Sequence, residues 1–295
     1  MQNDESNYST NINWYPGHMA KTHRMLLENI KIVDAVVEVL DARIPHSSTN
    51  PDISDIVLSK PHLIVLNKSD LADSKITDEW LNFYKNDGKN AIGISCFTGK
   101  GINKIAPMLF ELVKEKTDKY LQKGINKNIK IMIIGIPNAG KSTVINRLVG
   151  KAAAKAGDRP GVTKAKQWIR LKDGLELLDT PGILPPKLED RNAALKLACT
   201  GAIRDEIIET ELITYSLLEK LRDDYPQELL NRYKLSDIND NKGYEILEKI
   251  GRKRGCLISG GEIDEKRASS IVLDDFRSGK IGCISLEKPE ELNEK

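Results

Sequence analysis

The stretch Lys130–Thr143, KIMIIGIPNAGKST, decides how the rest of this chain is read. A short β-rich run, Ile131 to Ile134, feeds a turn that fits G-x-x-x-x-G-K-[ST], with Gly135, Gly140, Lys141 and Ser142 at the fixed positions. Strand, glycine-rich turn and helix in that order make a phosphate loop. The glycines let successive N–H groups face one anion, and the helix opening at Lys141 adds the positive end of its dipole. In such a loop Asn138, Ala139, Gly140 and Thr143 line the phosphates, Lys141 reaches the β and γ phosphates, and the Ser142 hydroxyl ligates Mg²⁺. A glycine-rich turn that matches by accident is the plain alternative. The loop alone does not choose between ATP and GTP.

At 295 residues the chain has ample length for a core and is long for one compact domain, which suggests two. Its four cysteines (Cys96, Cys199, Cys256, Cys283) form no C-x-x-C pair, so neither a zinc site nor a disulfide framework is expected, and a reducing cytoplasm fits best. The start, MQNDESNYSTN, is polar and acidic, and no run approaches 18 apolar residues; neither a signal peptide nor a membrane span is expected. Net charge is only +2, but residues 100–173 hold 17 Lys/Arg against 5 Asp/Glu while both flanks are acidic. That basic middle is either a solvated face plus the phosphate site's own charge or a nucleic-acid footprint.

In chain order, residues 1–12 look disordered, and a helical pattern follows NWYPGHMAK (13–21) to about Ile30. VVEVLD (36–41), HLIVLN (62–67) and AIGISC (91–96) read as buried parallel strands. Helical stretches fall between them, near 51–59 and 78–86, and another runs from about Asn103 to Lys123. After the phosphate loop come a helix to about Leu148, a basic loop (151–166) and two strand candidates, QWIRL (167–171) and LELLDT (175–180). Strand and helix in alternation predict an α/β fold with a doubly wound, mostly parallel sheet. Beyond Pro185-Pro186 the strand signal nearly vanishes: helical spacing recurs over 208–221, 244–253 and 264–278, with Gly255 and Gly279 as stops. The expected division is therefore residues 1–184 for the nucleotide domain and 185–295 for a small all-α helical domain.

The base is chosen by a second set of motifs. Asn67-Lys68-Ser69-Asp70 ends the second strand and fits N-K-x-D, in which the Asp carboxylate accepts from N1–H and the 2-amino group of guanine. Adenine offers neither donor in that geometry. Alone, four residues could be a helix-capping turn; beside a phosphate loop they point to GTP and GDP. Ser95 and Cys96, in SCFTGK (95–100), resemble the loop that supports the base in GTPases. Asp179-Thr180-Pro181-Gly182 fits D-x-x-G, with Asp179 holding Mg²⁺ through water and the Gly182 N–H sensing the γ-phosphate. Thr163, in GDRPGVTKAK, is the expected mobile threonine that closes on Mg²⁺ and γ-phosphate.

In most GTPases the phosphate loop comes first, whereas here the base-reading motifs precede it, which is a circular permutation. With that order, NWYPGHMAK, VLDARIP (39–45), NKSD, GIPNAGKST, GDRPGVT, LLDTPGI and KRGCLISGG (253–261) together resemble the ribosome-biogenesis GTPase A family, over residues 13 to about 286. The resemblance implies a circularly permuted P-loop GTPase domain followed by a helical domain that engages rRNA. It implies a cytoplasmic GTPase that helps mature the large (50S) ribosomal subunit among rRNA and ribosomal proteins, without membrane or DNA. One departure is Pro185-Pro186 where that family often has Trp-Pro. Ile183 stands where many GTPases carry a water-orienting Gln, and the resemblance points instead to His18 as catalytic, alongside Lys141 and Thr163. A loop histidine bonded to backbone is the alternative for His18. Asn138 resembles the asparagine of cation-dependent GTPases, where K⁺ sits against the phosphates. The rival functions are a nucleotide-gated RNA or protein adaptor in which hydrolysis is incidental, and an ATP-using P-loop enzyme, which NKSD argues against. Arg252, Lys253, Arg254, Lys266, Arg267, Arg277 and Lys280 are expected to form one phosphate-facing surface, unless they pair with nearby acids such as Asp274 and Asp275.

Overall fold

The computed structural model describes residues 17–50, 57, 59–125, 127–150, 168–171, 174–178 and 190–292, with the backbone alone for 17–23. Six strands form one sheet: β1 (Ala35–Asp41), β2 (His62–Asn67), β3 (Asn90–Gly93), β4 (Ile129–Ile134), β5 (Trp168–Arg170) and β6 (Leu175–Leu178), in the order β3-β2-β1-β4-β6-β5. Every pairing is parallel except β5 with β6. All seven residues of β1 are buried, as a central parallel strand covered on both faces requires. The two last strand candidates form a hairpin because only four residues separate Arg170 from Leu175, and a parallel crossover needs a dozen or more.

Helices α1 (Gly17–Ile30), α2 (Ser74–Asn86), α3 (Ile102–Leu112), α4 (Lys114–Gln122) and α5 (Lys141–Val149) flank the sheet. The stretch expected as one helix over 103–123 is two, divided at Val113. Val113 is buried in the core, whereas α4, KEKTDKYLQ, buries nothing, so the apolar face that guides α3 has no counterpart beyond it.

From Arg191 on, the main elements are helices: α6 (Arg191–Cys199), α7 (Thr210–Asp224), α8 (Pro226–Tyr233), α9 (Gly243–Arg254) and α10 (Glu265–Arg277). The helical spacing over 208–221, 244–253 and 264–278 becomes α7, α9 and α10, and Gly255 ends α9 in the left-handed region. α6 and α8 are short and add to that expectation; α8 opens on Pro226 at its first turn, a position where the missing N–H has no cost. Val37, Val39 and Ile133 of the sheet share one continuous apolar core with Leu197, Ala198, Leu218 and Phe276 of these helices. Among the described residues, no helix is long and apolar enough to cross a membrane.

Because β1 to β4 are parallel, the loops that follow them leave the same edge of the sheet. In open α/β sheets that edge is where ligands bind.

Candidate nucleotide-binding site

The loop after β4 runs from Gly135 to Gly140 and enters α5 at Lys141. At both glycines the backbone passes too close to its neighbours for any side chain. A Cβ on Gly135 would lie 2.3 Å from the Val39 carbonyl oxygen, and one on Gly140 would lie 2.2 Å from Asn67 Nδ2. Asn138 and Gly140 both have positive φ, 58° and 95°, which curls the loop over the start of the helix. Gly140 brings no capping side chain, so the first-turn N–H groups of α5 are left to face the loop. Lys141 is buried, and its Nζ donates to the Ile136 carbonyl at 2.6 Å inside the loop. Ser142 and Thr143 are exposed at the first turn. This is the set of donors that suits a string of phosphates.

Asn67, the last residue of β2, joins three loops. Its Nδ2 donates to the Ala139 carbonyl at 2.8 Å, and its Oδ1 accepts from the Cys96 N–H at 3.3 Å. The Ser69 N–H donates to Ile94 O, which sets Ser69-Asp70 beside the end of β3. Ser95 Oγ accepts from the Thr98 N–H at 3.0 Å, and the Ser95 carbonyl accepts from Gly99, closing the SCFTGK turn on itself. Arg147 of α5 reaches across to the Cys96 and Phe97 carbonyls at 2.8 and 3.0 Å. Asn67, Lys68, Asp70, Ser95 and Cys96 therefore lie together with the phosphate loop, although they come from different strands. Burial pushes the Cys96 thiol up to about 11, helped by Asp70 and opposed by Arg147, so it is a neutral group here.

Under this cluster lies a charged knot within VLDARIP, a motif whose residues the sequence alone left without a role. Asp41 ends β1, and Arg43 grips it through Nε and Nη2 at 2.9 and 2.8 Å while Lys68 Nζ reaches the same carboxylate at 2.9 Å. Both Asp41 and Arg43 are about 1% exposed. Burial by itself would raise the Asp41 carboxyl, but Arg43 and Lys68 outweigh it and hold it well below the usual carboxylate range. The Arg43 guanidinium also sits 5.1 Å from the centre of the Phe276 ring on α10. The available signal was an acid and a base two apart at the end of a mostly apolar strand, where neither can be left unpaired.

The phosphate loop touches the helical region directly: Asn138 Nδ2 donates to the Gly201 carbonyl just past α6. Arg277 of α10 binds the Ala198 and Cys199 carbonyls at the end of α6, at 2.9 and 3.0 Å, and is paired with Asp205. Arg277 thus holds helices together instead of facing outward. Arg254 and Lys280 lie 3.7 Å from Asp275, and Arg252 pairs with Glu248 on its own helix. Lys253, Lys266 and Arg267 are exposed.

His18 falls on α1, where only the backbone is described, and Thr163, Asp179 and Gly182 lie outside the described residues. Of the expected Mg²⁺ ligands, Ser142 is therefore the one whose position is described. Among the described residues, no three His, Cys, Asp or Glu side chains gather as a metal centre. A cavity of about 230 Å³ between β1, β2 and α2, lined by Glu38, His62 and Trp80 among others, shares no residue with these loops.

The family description "50S ribosome-binding GTPase" matches residues 130–242. A Bacillus cereus protein named ribosome biogenesis GTPase A is 48% identical over 284 residues, covering 96% of each chain. The protein of the same name from Thermotoga maritima is 35% identical, covering 95% of this chain and 96% of its own. Among solved structures, the GDP-bound structure of TM YlqF matches with a TM-score of 0.69 at 30% identity, covering 90% of this chain and all of that one. The GNP-bound YlqF from T. maritima matches at 0.64 and 30% identity, over 92% of this chain and 99% of that one.

Proposed function

The chain belongs to the ribosome biogenesis GTPase A family, and from that membership we propose that it hydrolyses GTP as an assembly factor for the large ribosomal subunit. The observation that carries this reading is the junction at Asn67, whose side chain ties N-K-x-D to both the phosphate loop and the SCFTGK turn. Guanine then meets Asp70 at the loop after β2, supported by Ser95 and Cys96. The phosphates lie along Asn138 to Thr143, with Lys141 turning from Ile136 O to the β and γ oxygens.

Ser142 and, in the GTP state, Thr163 and Asp179 would hold Mg²⁺, which would supply positive charge against the phosphate oxygens. The remaining steps fall to this chain's own groups. Ile183 cannot orient water, so His18, in the first turn of α1, takes that role and positions or deprotonates the attacking water. Asn138 donates through Nδ2 to Gly201, which leaves its amide oxygen as the atom that would face K⁺. Gly182 senses the γ-phosphate, and the segment after it leads into the helical domain, with the divide near residue 185. Lys253, Lys266 and Arg267, exposed on α9 and α10, meet rRNA phosphates in this reading.

The test is turnover measured with and without large subunits, paired with co-sedimentation in GDP and in a non-hydrolysable GTP analogue. Stimulation by orders of magnitude, with nucleotide-selective binding, is the expected result. Selective binding with unchanged turnover would instead make the chain a nucleotide-gated adaptor. Loss of both would remove the subunit as partner.

A further inference from the structure

After α10 the chain turns back and lies along the base-reading loop. The Cys283 thiol donates to the Asp70 carbonyl at 3.3 Å, and the Ile284 N–H donates to the Leu71 carbonyl at 2.9 Å. The Asp73 N–H donates to Ser285 Oγ at 3.2 Å. Three of the four positions from Asp70 to Asp73 are thereby held by residues more than two hundred positions away in sequence. On its other side the loop has the Ser69-to-Ile94 bond.

This strap is itself anchored in the helical region. The Tyr225 hydroxyl, at the junction of α7 and α8, accepts from the Ser285 N–H and donates to the Ser285 carbonyl, both at 3.2 Å. Tyr225 and Ser285 are buried, at 8% and 2% exposure. Burial is the main reason the Tyr225 phenol is pushed up to about 12, so it stays a donor and acceptor throughout the working range. Two residues on, the Glu287 carboxylate accepts from the His46 and Ser47 N–H groups, at 2.8 and 3.2 Å, in the loop after β1. The strap therefore joins the helices to the loops that follow β1 and β2, and it does so with hydrogen bonds aimed at backbone groups, which set position more tightly than apolar contact does.

We propose that Ser285, held by Tyr225, is a positioning residue for guanine selectivity: it sets the register in which Asp70 meets the base. This rests on the reading of Asp70 as the guanine-binding carboxylate. A carboxylate that must accept two hydrogen bonds from one base edge tolerates little displacement, whereas the phosphate loop is shaped by its own glycines and by Asn67. Releasing the strap should therefore spoil discrimination between bases more than overall nucleotide binding.

The experiment compares Kd for GTP and for inosine triphosphate, which lacks the 2-amino group, in the full chain and in Tyr225→Phe and Ser285→Ala. The expected result is a GTP preference that falls by about tenfold in both variants, the scale of one net hydrogen bond, while ITP affinity changes little. A purely structural contact would lower the melting temperature and leave the ratio where it was; that outcome in either soluble variant overturns the proposal. A wild-type chain that binds GTP and ITP alike would overturn the guanine reading itself, which separates the two failures. If Tyr225→Phe does not fold, Ser285→Ala, which removes only one hydroxyl, decides.

Discussion

Asn67 donates through its side-chain amide to the Ala139 carbonyl at 2.8 Å, joining a base-reading loop to a phosphate loop 72 positions later in the chain. The bond exists because Gly140 leaves room for it. Gly140→Ala would place a Cβ 2.2 Å from Asn67 Nδ2, at a φ of 95° that L side chains resist. The backbone strain alone is of order 1–3 kcal/mol. Calorimetry should find GDP affinity reduced by at least about tenfold, with the circular dichroism of the sheet and helices unchanged. Wild-type affinity in this variant would mean the two loops act independently.

Asp70→Asn should exchange guanine for xanthine. The substituted amide can no longer accept from both N1–H and the 2-amino group, and a site that loses a buried hydrogen-bonding partner can change selectivity by about 10⁴. Binding assays with GTP and xanthosine triphosphate check this. A variant that still prefers GTP would move base recognition elsewhere.

His18→Ala should leave GTP affinity nearly intact and lower subunit-stimulated turnover by roughly 10² or more, the scale of general acid–base catalysis. The motive is Ile183, whose alkyl side chain follows D-x-x-G directly. Single-turnover hydrolysis in the presence of large subunits is the measurement. An unchanged rate would take His18 out of the site.

The Asp41 carboxyl is held down by Arg43 and Lys68 against its own burial, so its folded value lies below its unfolded value of about 3.9. The sign follows from linkage: the stabilisation is fully present above the unfolded value and is lost as pH falls below about 4 toward the folded one. Asp41→Asn should flatten that acid limb. It should also destabilise the chain near neutrality by roughly 3–5 kcal/mol, because Arg43 is left buried without its counter-charge. Denaturant unfolding between pH 3 and pH 7 tests both parts. An Asp41→Asn curve parallel to wild type would place the knot's charge elsewhere.

Replacing Lys253, Lys266 and Arg267 with Ala should weaken binding to the large subunit and flatten its salt dependence, by about 0.7 to 0.9 in log–log slope for each phosphate no longer neutralised. GTP affinity should not change. These three are chosen because Arg254, Arg277 and Lys280 already face Asp275 or Asp205. An unchanged slope would send the search for RNA-binding residues to the basic stretch 151–166.

Local chemistry with short-range causes was legible in the sequence. The phosphate loop needs only its own glycines, and β1, β2 and β4 announce themselves as apolar runs because both faces of a parallel strand are covered. The antiparallel β5 was not legible from the run QWIRL alone; the short link to LELLDT dictates it. The break at Val113 also escaped, since a helical run of residues does not reveal where its apolar face stops meeting a core. The strap was least visible of all. Its bonds to Asp70, Leu71 and Asp73 use one thiol, one hydroxyl and otherwise backbone groups, a set with no recognisable motif, so composition and spacing carry no trace of them. The same holds for Asn138 and Gly201, where one partner is a carbonyl. For the basic cluster, sequence supplied the charges but not their neighbours, and Arg277 proved to be a brace across α6.

Residues 281–287 leave the ribosome long after Asp70 does. A nascent chain can form β1, β2 and the turn between Asn67 and Asp73 long before the segment that pins that turn has been synthesised, with 213 positions separating Cys283 from Asp70. Pairings of such long sequence separation form late, after the loop-closure entropy has been met. A factor that acts on assembling subunits would in this way acquire its full guanine discrimination only after the segment around Ser285 has been synthesised and has closed on the loop.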